Sequence, residues 1–228
     1  MTRPFLTARW ADLLMLSWHV PEEALLPLVP QGTALDLHGG RAYASLVGLR
    51  FLDARLLGAA VPGHRDFPEV NLRFYVRRGE RRGVAFVKEL VPRRALAWVA
   101  RVAYGERYHA VPMRCRADEA RVEYAWREAG RAHVLAATPV GPWREPRGLD
   151  AFIADHLHGY VGGRGGTREY EVEHPPWRVR AVEDALVDVD ARTVYGALGA
   201  HLRGPPASAF VAEGSPVAVR WPVRLPPA

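Results

Sequence analysis

Between Phe67 and Val76 the chain alternates, with Glu69, Asn71, Arg73 and Tyr75 on odd positions and Val70, Leu72, Phe74 and Val76 on even ones. Successive side chains of a strand point to opposite faces, so this segment predicts a strand with one polar and one apolar face. Elsewhere short apolar runs are broken every few residues by the 19 prolines and 21 glycines, leaving room for short strands and few helices longer than three turns. Three hairpins are predicted. Leu35 to Leu37 and Arg41 to Arg50 flank His38-Gly39-Gly40, while Val70 to Arg77 and Gly83 to Val91 flank a charged tip. Met113 to Glu128 and Arg131 to Ala136 meet at Ala129-Gly130. Ala95 to Tyr104, Glu169 to Glu173, Val179 to Val187 and Val217 to Leu225 read as further strands, the last broken by Pro222. Helices are predicted at Pro21 to Leu28, with Glu22 and Glu23 at the positive end, and at Leu149 to His158. Thr193 to Leu202 reads as a short helix or strand, and Gly162 to Gly166 as a mobile loop rather than a phosphate cradle, because no strand and helix frame it. The expectation is a mainly β (β-rich α+β) barrel or sandwich with a few short helices, forming a single domain over residues 1–228.

Composition narrows the function classes. The longest apolar stretch, Leu13 to Val20, is too short to cross a bilayer, and the first residues lack a secretion signal, so a cytoplasmic protein is expected. Cys115 is the one cysteine, which excludes an internal disulfide and a multi-cysteine zinc site. The net charge is +6, yet of the 31 basic residues only Lys88 is a lysine and the arginines are scattered, so no nucleic-acid partner is expected. No membrane partner is expected either, and a homo-oligomer is compatible with a soluble protein of this kind.

The polar face of Phe67 to Val76 either meets water or lines a pocket. In a pocket, Arg73 could hold a carboxylate by two parallel hydrogen bonds, while Glu69, its pKa raised by desolvation, moved protons. Trp10, Leu14, Pro30, Phe67 to Val76, Gly83-Val84, Arg101, Tyr108 to Met113 and His174 to Trp177 together resemble the uncharacterised bacterial YqjF-like family. The two sharpest matches are Phe-Pro-Glu-x-Asn-x-Arg-x-Tyr-Val and His-Pro-Pro-Trp. That family stands among acetoacetate decarboxylase-like proteins, which implies a closed or nearly closed β-barrel with its site inside. The resemblance makes Glu69 the counterpart of a pocket glutamate. It also places Pro92-Arg93-Arg94 where the decarboxylases carry a Pro-Lys-Lys segment whose lysine forms a Schiff base. Arginine cannot form that imine, so the lysine route is closed at this position.

Lys88 remains as a displaced amine or as an ordinary surface lysine. His109, beside Tyr108, fits a pocket wall or a structural role. Asp155, His156 and His158 are close in sequence, but on a helix their imidazoles would diverge, so no metal is expected. The candidate set is therefore Glu69 as acid/base and Asn71, Arg73, Tyr75, Arg94, Arg101, Tyr108 and His109 around a small anionic organic acid, with no cofactor. Two functions follow: a protein that binds a keto or enol acid, or a lysine-independent lyase, isomerase or hydratase.

Overall fold

The computed structural model describes residues 3–163 and 165–226. Its strands are β1 (Leu6–His19), β2 (Ala34–Leu35), β3 (Tyr43–Leu56), β4 (Ala59–Ala60), β5 (Phe67–Arg78), β6 (Arg81–Val91), β7 (Tyr108–Ala110) and β8 (Met113–Ala117). They continue as β9 (Val122–Glu128), β10 (Arg131–Arg144), β11 (His158–Gly163), β12 (Gly166–Glu173), β13 (Val179–Asp188), β14 (Ser208–Ala212), β15 (Ser215–Val219) and β16 (Val223–Arg224). The α-helices are α1 (Glu22–Leu25), α2 (Arg94–Ala103), α3 (Leu149–Ala154) and α4 (Ala191–Tyr195).

Strands β1, β3, β5, β6, β11, β12 and β15 close into a seven-stranded barrel. Closure depends on β1, which pairs with β3 along its whole length on one side and changes partner on the other. Leu6 to Trp10 pair with β15, whereas Leu13 to Ser17 pair with β14. The change falls at a bulge centred on Asp12, whose φ of 53 lies in the left-handed region. Asp12 is pinned there by Arg50 Nε at 2.6 Å and by Tyr124, whose hydroxyl donates to the Asp12 carbonyl at 2.7 Å. From the second half of β1 an outer sheet runs through β14, β13, β10, β9 and β8.

Alternation along the barrel strands builds two cores. Leu14, Leu16, Leu46, Val70, Leu72 and Phe74 point outward and pack under Tyr124, Trp126 and Leu135 of the outer sheet. Leu13, Met15, Val47, Leu49, Phe51, Tyr75 and Val217 fill the barrel interior. The outer sheet comes close enough at Gly48 that a Cβ there would lie 2.3 Å from the Tyr124 ring.

The hairpin of β5 and β6 turns at Gly79 (φ 58), and that of β9 and β10 turns at Ala129 and Gly130 (φ 50 and 77). Both lie where the sequence places them. His38 and Arg41 exchange backbone hydrogen bonds across a turn, yet β2 pairs with β5 rather than with β3. Met113 to Glu128 divides into β8 and β9 around a turn in which Asp118 accepts from the amides of Ala120 and Arg121. Ala95 to Tyr104 is a helix, not a strand: Pro92 ends β6, and Leu96, Ala97, Ala100 and Tyr104 then recur at helical spacing on the inward face. Helix α3 stops at Ala154, and His158 opens β11. Gly162 to Gly166 belongs to a hairpin whose ladder runs to Gly163 opposite Gly166, with Arg164 outside the described residues. Among the described residues no helix is long and apolar enough to cross a membrane.

Candidate functional site

The odd positions of β5 turn into the barrel, because their even neighbours are drawn outward under the second sheet. Glu69 and Asn71 are each 3% exposed. Together with Arg73 they line a cavity of about 220 Å³ whose remaining wall is largely apolar, with Leu49, Phe51, Val84, Val91, Leu96 and Val99 among its residues.

Asn71 Nδ2 donates to Glu69 Oε1 at 2.9 Å, and the Tyr108 hydroxyl donates to Glu69 Oε2 at 3.0 Å. Opposite Asn71 on β6 stands Glu89, 2% exposed, with Oε2 buried and unpartnered among the described residues. Glu106, in the loop before β7, accepts from the Tyr170 hydroxyl at 2.9 Å and lies within hydrogen-bonding reach of Glu89. Burial pushes Glu69 up to about 7, against the two donors and the Arg73 charge that pull it down. It pushes Glu106 up to about 8 and Glu89 well above the usual carboxylate range, the latter reinforced by the charges of Glu106 and Glu69. Three carboxyls thus share one dry compartment, and at neutral pH protons are held among them.

Arg73 supplies the positive pole. One Nη donates to the Ile153 carbonyl at 3.4 Å and lies 3.6 Å from Met15 Sδ, and the guanidinium has no ion-pair partner among the described residues. His174 stacks on Trp177 with ring centroids 4.1 Å apart, and both reach the cavity beside Trp10. His156 is fixed by Asp36 at 3.1 Å, which Arg82 grips at 2.7 Å. Burial lowers His156 to about 4, so its imidazole is neutral at pH 7.

Of the residues expected at the site, Glu69, Asn71, Arg73 and Tyr108 converge on the cavity. Tyr75 shares the inward face but lies beyond the cavity, its hydroxyl 2.5 Å from Ser45 Oγ in a chain that continues to Ser17. Arg94 and Arg101 fall outside it, on the exposed face of α2, because the segment is helical and turns its small and apolar side chains inward. His109 is also exposed: on β7 it points away from the neighbouring Tyr108. Lys88 lies on the outer side of the barrel wall, bonded to Glu128 at 2.5 Å and to the Val194 carbonyl at 3.1 Å. Cys115 is half-buried, and burial raises its thiol to about 11. Among the described residues no group of histidine, cysteine, aspartate and glutamate side chains could hold a metal ion.

Glu89, Glu106, Tyr170 and His156 complete the site without having been expected there. Simple hairpin counting, continued from Arg73 opposite Phe86, would set Lys88 opposite Asn71 and therefore inside. The ladder instead shifts between Leu72 and Arg73, where Val87 is the extra residue of a bulge, and Glu89 takes the inward place.

The chain is similar to the uncharacterized protein YqjF of Bacillus subtilis (strain 168), 28% identical over 222 residues, covering 94% of this chain and 90% of that one. Its fold matches acetoacetate decarboxylase from Legionella pneumophila subsp. pneumophila str. Philadelphia 1 with a TM-score of 0.74, 8% identity, and coverage of 98% and 87%. It also matches the enduracididine biosynthesis enzyme MppR complexed with pyruvate (TM-score 0.67, 14% identity, coverage of 98% and 91%). An acetoacetate decarboxylase-like enzyme from Sphingomonas wittichii RW1 gives a TM-score of 0.66 at 12% identity, covering 100% and 95%. These likenesses extend over nearly the whole chain, and at such identities they speak to fold alone. A family model described as an uncharacterized conserved protein matches residues 7–216, and the chain therefore belongs to the DUF2071 family.

Proposed function

We propose that the protein holds a small keto or enol acid inside the barrel, with Arg73 pairing the carboxylate and without a lysine-derived imine. The observation that carries this reading is the Arg73 guanidinium, placed at the wall of a largely apolar cavity with no ion-pair partner among the described residues. A cation so placed gains most from an anion that arrives with it in a water-poor space. The only lysine side chain of the sequence faces away from the cavity, which removes the amine that would attack a carbonyl there. Support also comes from the structural neighbour complexed with pyruvate, a small keto acid.

Calorimetric titration with pyruvate and with acetoacetate tests the reading. Saturable binding is expected, weakened roughly tenfold or more by Arg73→Leu, the loss that follows removal of one partner of a buried charge pair. Borohydride added with either acid should leave the protein mass unchanged. Absence of saturable binding, or equal affinity in Arg73→Leu, refutes the assignment.

A second reading, proton transfer to and from the bound acid by Glu69, is favoured by that carboxyl's position near 7, where it can both take and give a proton at neutral pH. Its signature is solvent deuterium entering the carbon next to the keto group of pyruvate, followed by NMR. Glu69→Gln should abolish the exchange while binding persists.

A further inference from the structure

A second concavity, of about 320 Å³, lies on the outer side of the barrel wall, bounded by Pro30, Phe86, Arg107, Tyr160 and Thr167. Glu106 and Phe86 border both this cleft and the internal cavity. The wall is thin there for a topological reason. Strands β6 and β11 pair in parallel over only two positions, Gly83 with His158 and Val84 with Gly159, and β7 does not join that edge of β6 until Glu89. From Ala85 to Lys88 this edge has no strand partner among the described residues, and the Glu106-Arg107 segment stops the gap, its Arg107 carbonyl accepting from the Glu89 amide at 3.2 Å.

We infer that this cleft is a proton inlet, through which solvent exchanges protons with the buried carboxyls by way of Glu106, while the ligand uses the mouth of the cavity beside the exposed Val61. The path runs from water in the cleft to Glu106, then to Glu89, and through the Tyr108 hydroxyl to Glu69. Each step moves one proton between oxygens, so a proton gained at Glu69 is balanced by one taken up from the cleft. The groups facing Glu106 are Glu89 from β6, Glu69 from β5, Tyr108 from β7, Tyr170 from β12, Tyr104 at the end of α2 and its neighbour Arg107. Such a back door matters when a bound acid fills the barrel, because the mouth then no longer admits water to Glu69. The use of the protons rests on the proton-transfer reading above, but their route is measurable without any ligand.

The test follows the infrared carbonyl stretch of the protonated carboxyls after rapid mixing into D₂O, with bands assigned by Glu69→Gln and Glu89→Gln. Two variants of the full chain interrupt the path. Glu106→Gln removes the relay group. Gly162→Leu fills the cleft from a position where a Cβ would sit 3.6 Å from Pro30, an ordinary contact. Deuteration of the remaining carboxyls is expected to slow roughly tenfold in each, a change of one decade in rate. A wild-type rate in folded Glu106→Gln removes the relay, and a wild-type rate in folded Gly162→Leu shows protons entering by the mouth; either result overturns the inlet. Failure of pyruvate to exchange deuterium would remove the proton-transfer reading alone, since the carboxyl rates are read without ligand.

Discussion

Glu69 shows how far a single residue's neighbours decide its chemistry. Asn71 and Tyr108 hold both its oxygens as a carboxylate would require, yet the dry surroundings push it the other way, and burial wins. The same balance governs Glu106, and both consequences extend to stability. A carboxyl whose affinity for its proton is raised by folding stabilises the fold fully below about pH 4.5 and loses that contribution as pH climbs through its folded value. The contribution of Glu69 and Glu106 therefore falls between about pH 4.5 and about 8, while His156, held down to about 4, gains in the opposite sense up to about pH 6.5, so the net fall is expected between about pH 6.5 and about 8. Denaturant titrations across that range should show the fall, and Glu106→Gln, neutral at every pH, should flatten it by an amount on the order of 1 kcal/mol or more. An equal slope in the variant would contradict this balance. The alternation around Glu69 was legible because it is a local, period-two signal. Glu106 sits in a loop after a helix, and nothing in its neighbours in sequence announces that it returns to the cavity.

At the scale of elements, two strands carry irregularities that no pattern of side chains disclosed. The bulge of β1 at Asp12 lets one strand serve two sheets, and the bulge of β6 at Val87 exchanges the faces of Lys88 and Glu89. Strands and hairpin turns were readable because Gly79 and Ala129-Gly130 mark them; register within the hairpin was not, since one extra residue leaves the composition of the strand unaltered. Helix α2 was misread for a different reason. Its period is helical, with Arg94 and Arg101 on one face and Leu96, Ala97 and Ala100 on the other, but Trp98 and Val102, each left 62% exposed, make it read as a continuous apolar run. Contact between the layers rests on a small residue: Gly48→Ala would drive a methyl group into the Tyr124 ring. A loss of roughly 1–3 kcal/mol is expected from such overpacking, measured by urea unfolding. Gly79, with open space around it, provides the comparison for a position governed by backbone conformation alone.

The whole molecule is a closed barrel with a second sheet growing from one of its staves, and this architecture matches solved structures at identities as low as 8%. A fold that tolerates such divergence is held by its pattern of inward and outward positions more than by particular side chains. The interior can then change its chemistry without changing its shape. Here the means is phase: the alternation of β6 is reset at the Val87 bulge, which keeps an ammonium group out of the chamber and a carboxyl within. Removing Val87 would leave Lys88 opposite Leu72 and Glu89 opposite Asn71, as they already stand. Exchanging the pair, Lys88→Glu with Glu89→Lys, should instead set the amine opposite Asn71, converting an acid-lined vessel into one able to condense with ketones. Reductive trapping of acetoacetate on the exchanged chain, read as a mass increase absent from the parent, would reveal the conversion. Reactivity in this scaffold would then be set by the phase in which a strand resumes its alternation after a bulge.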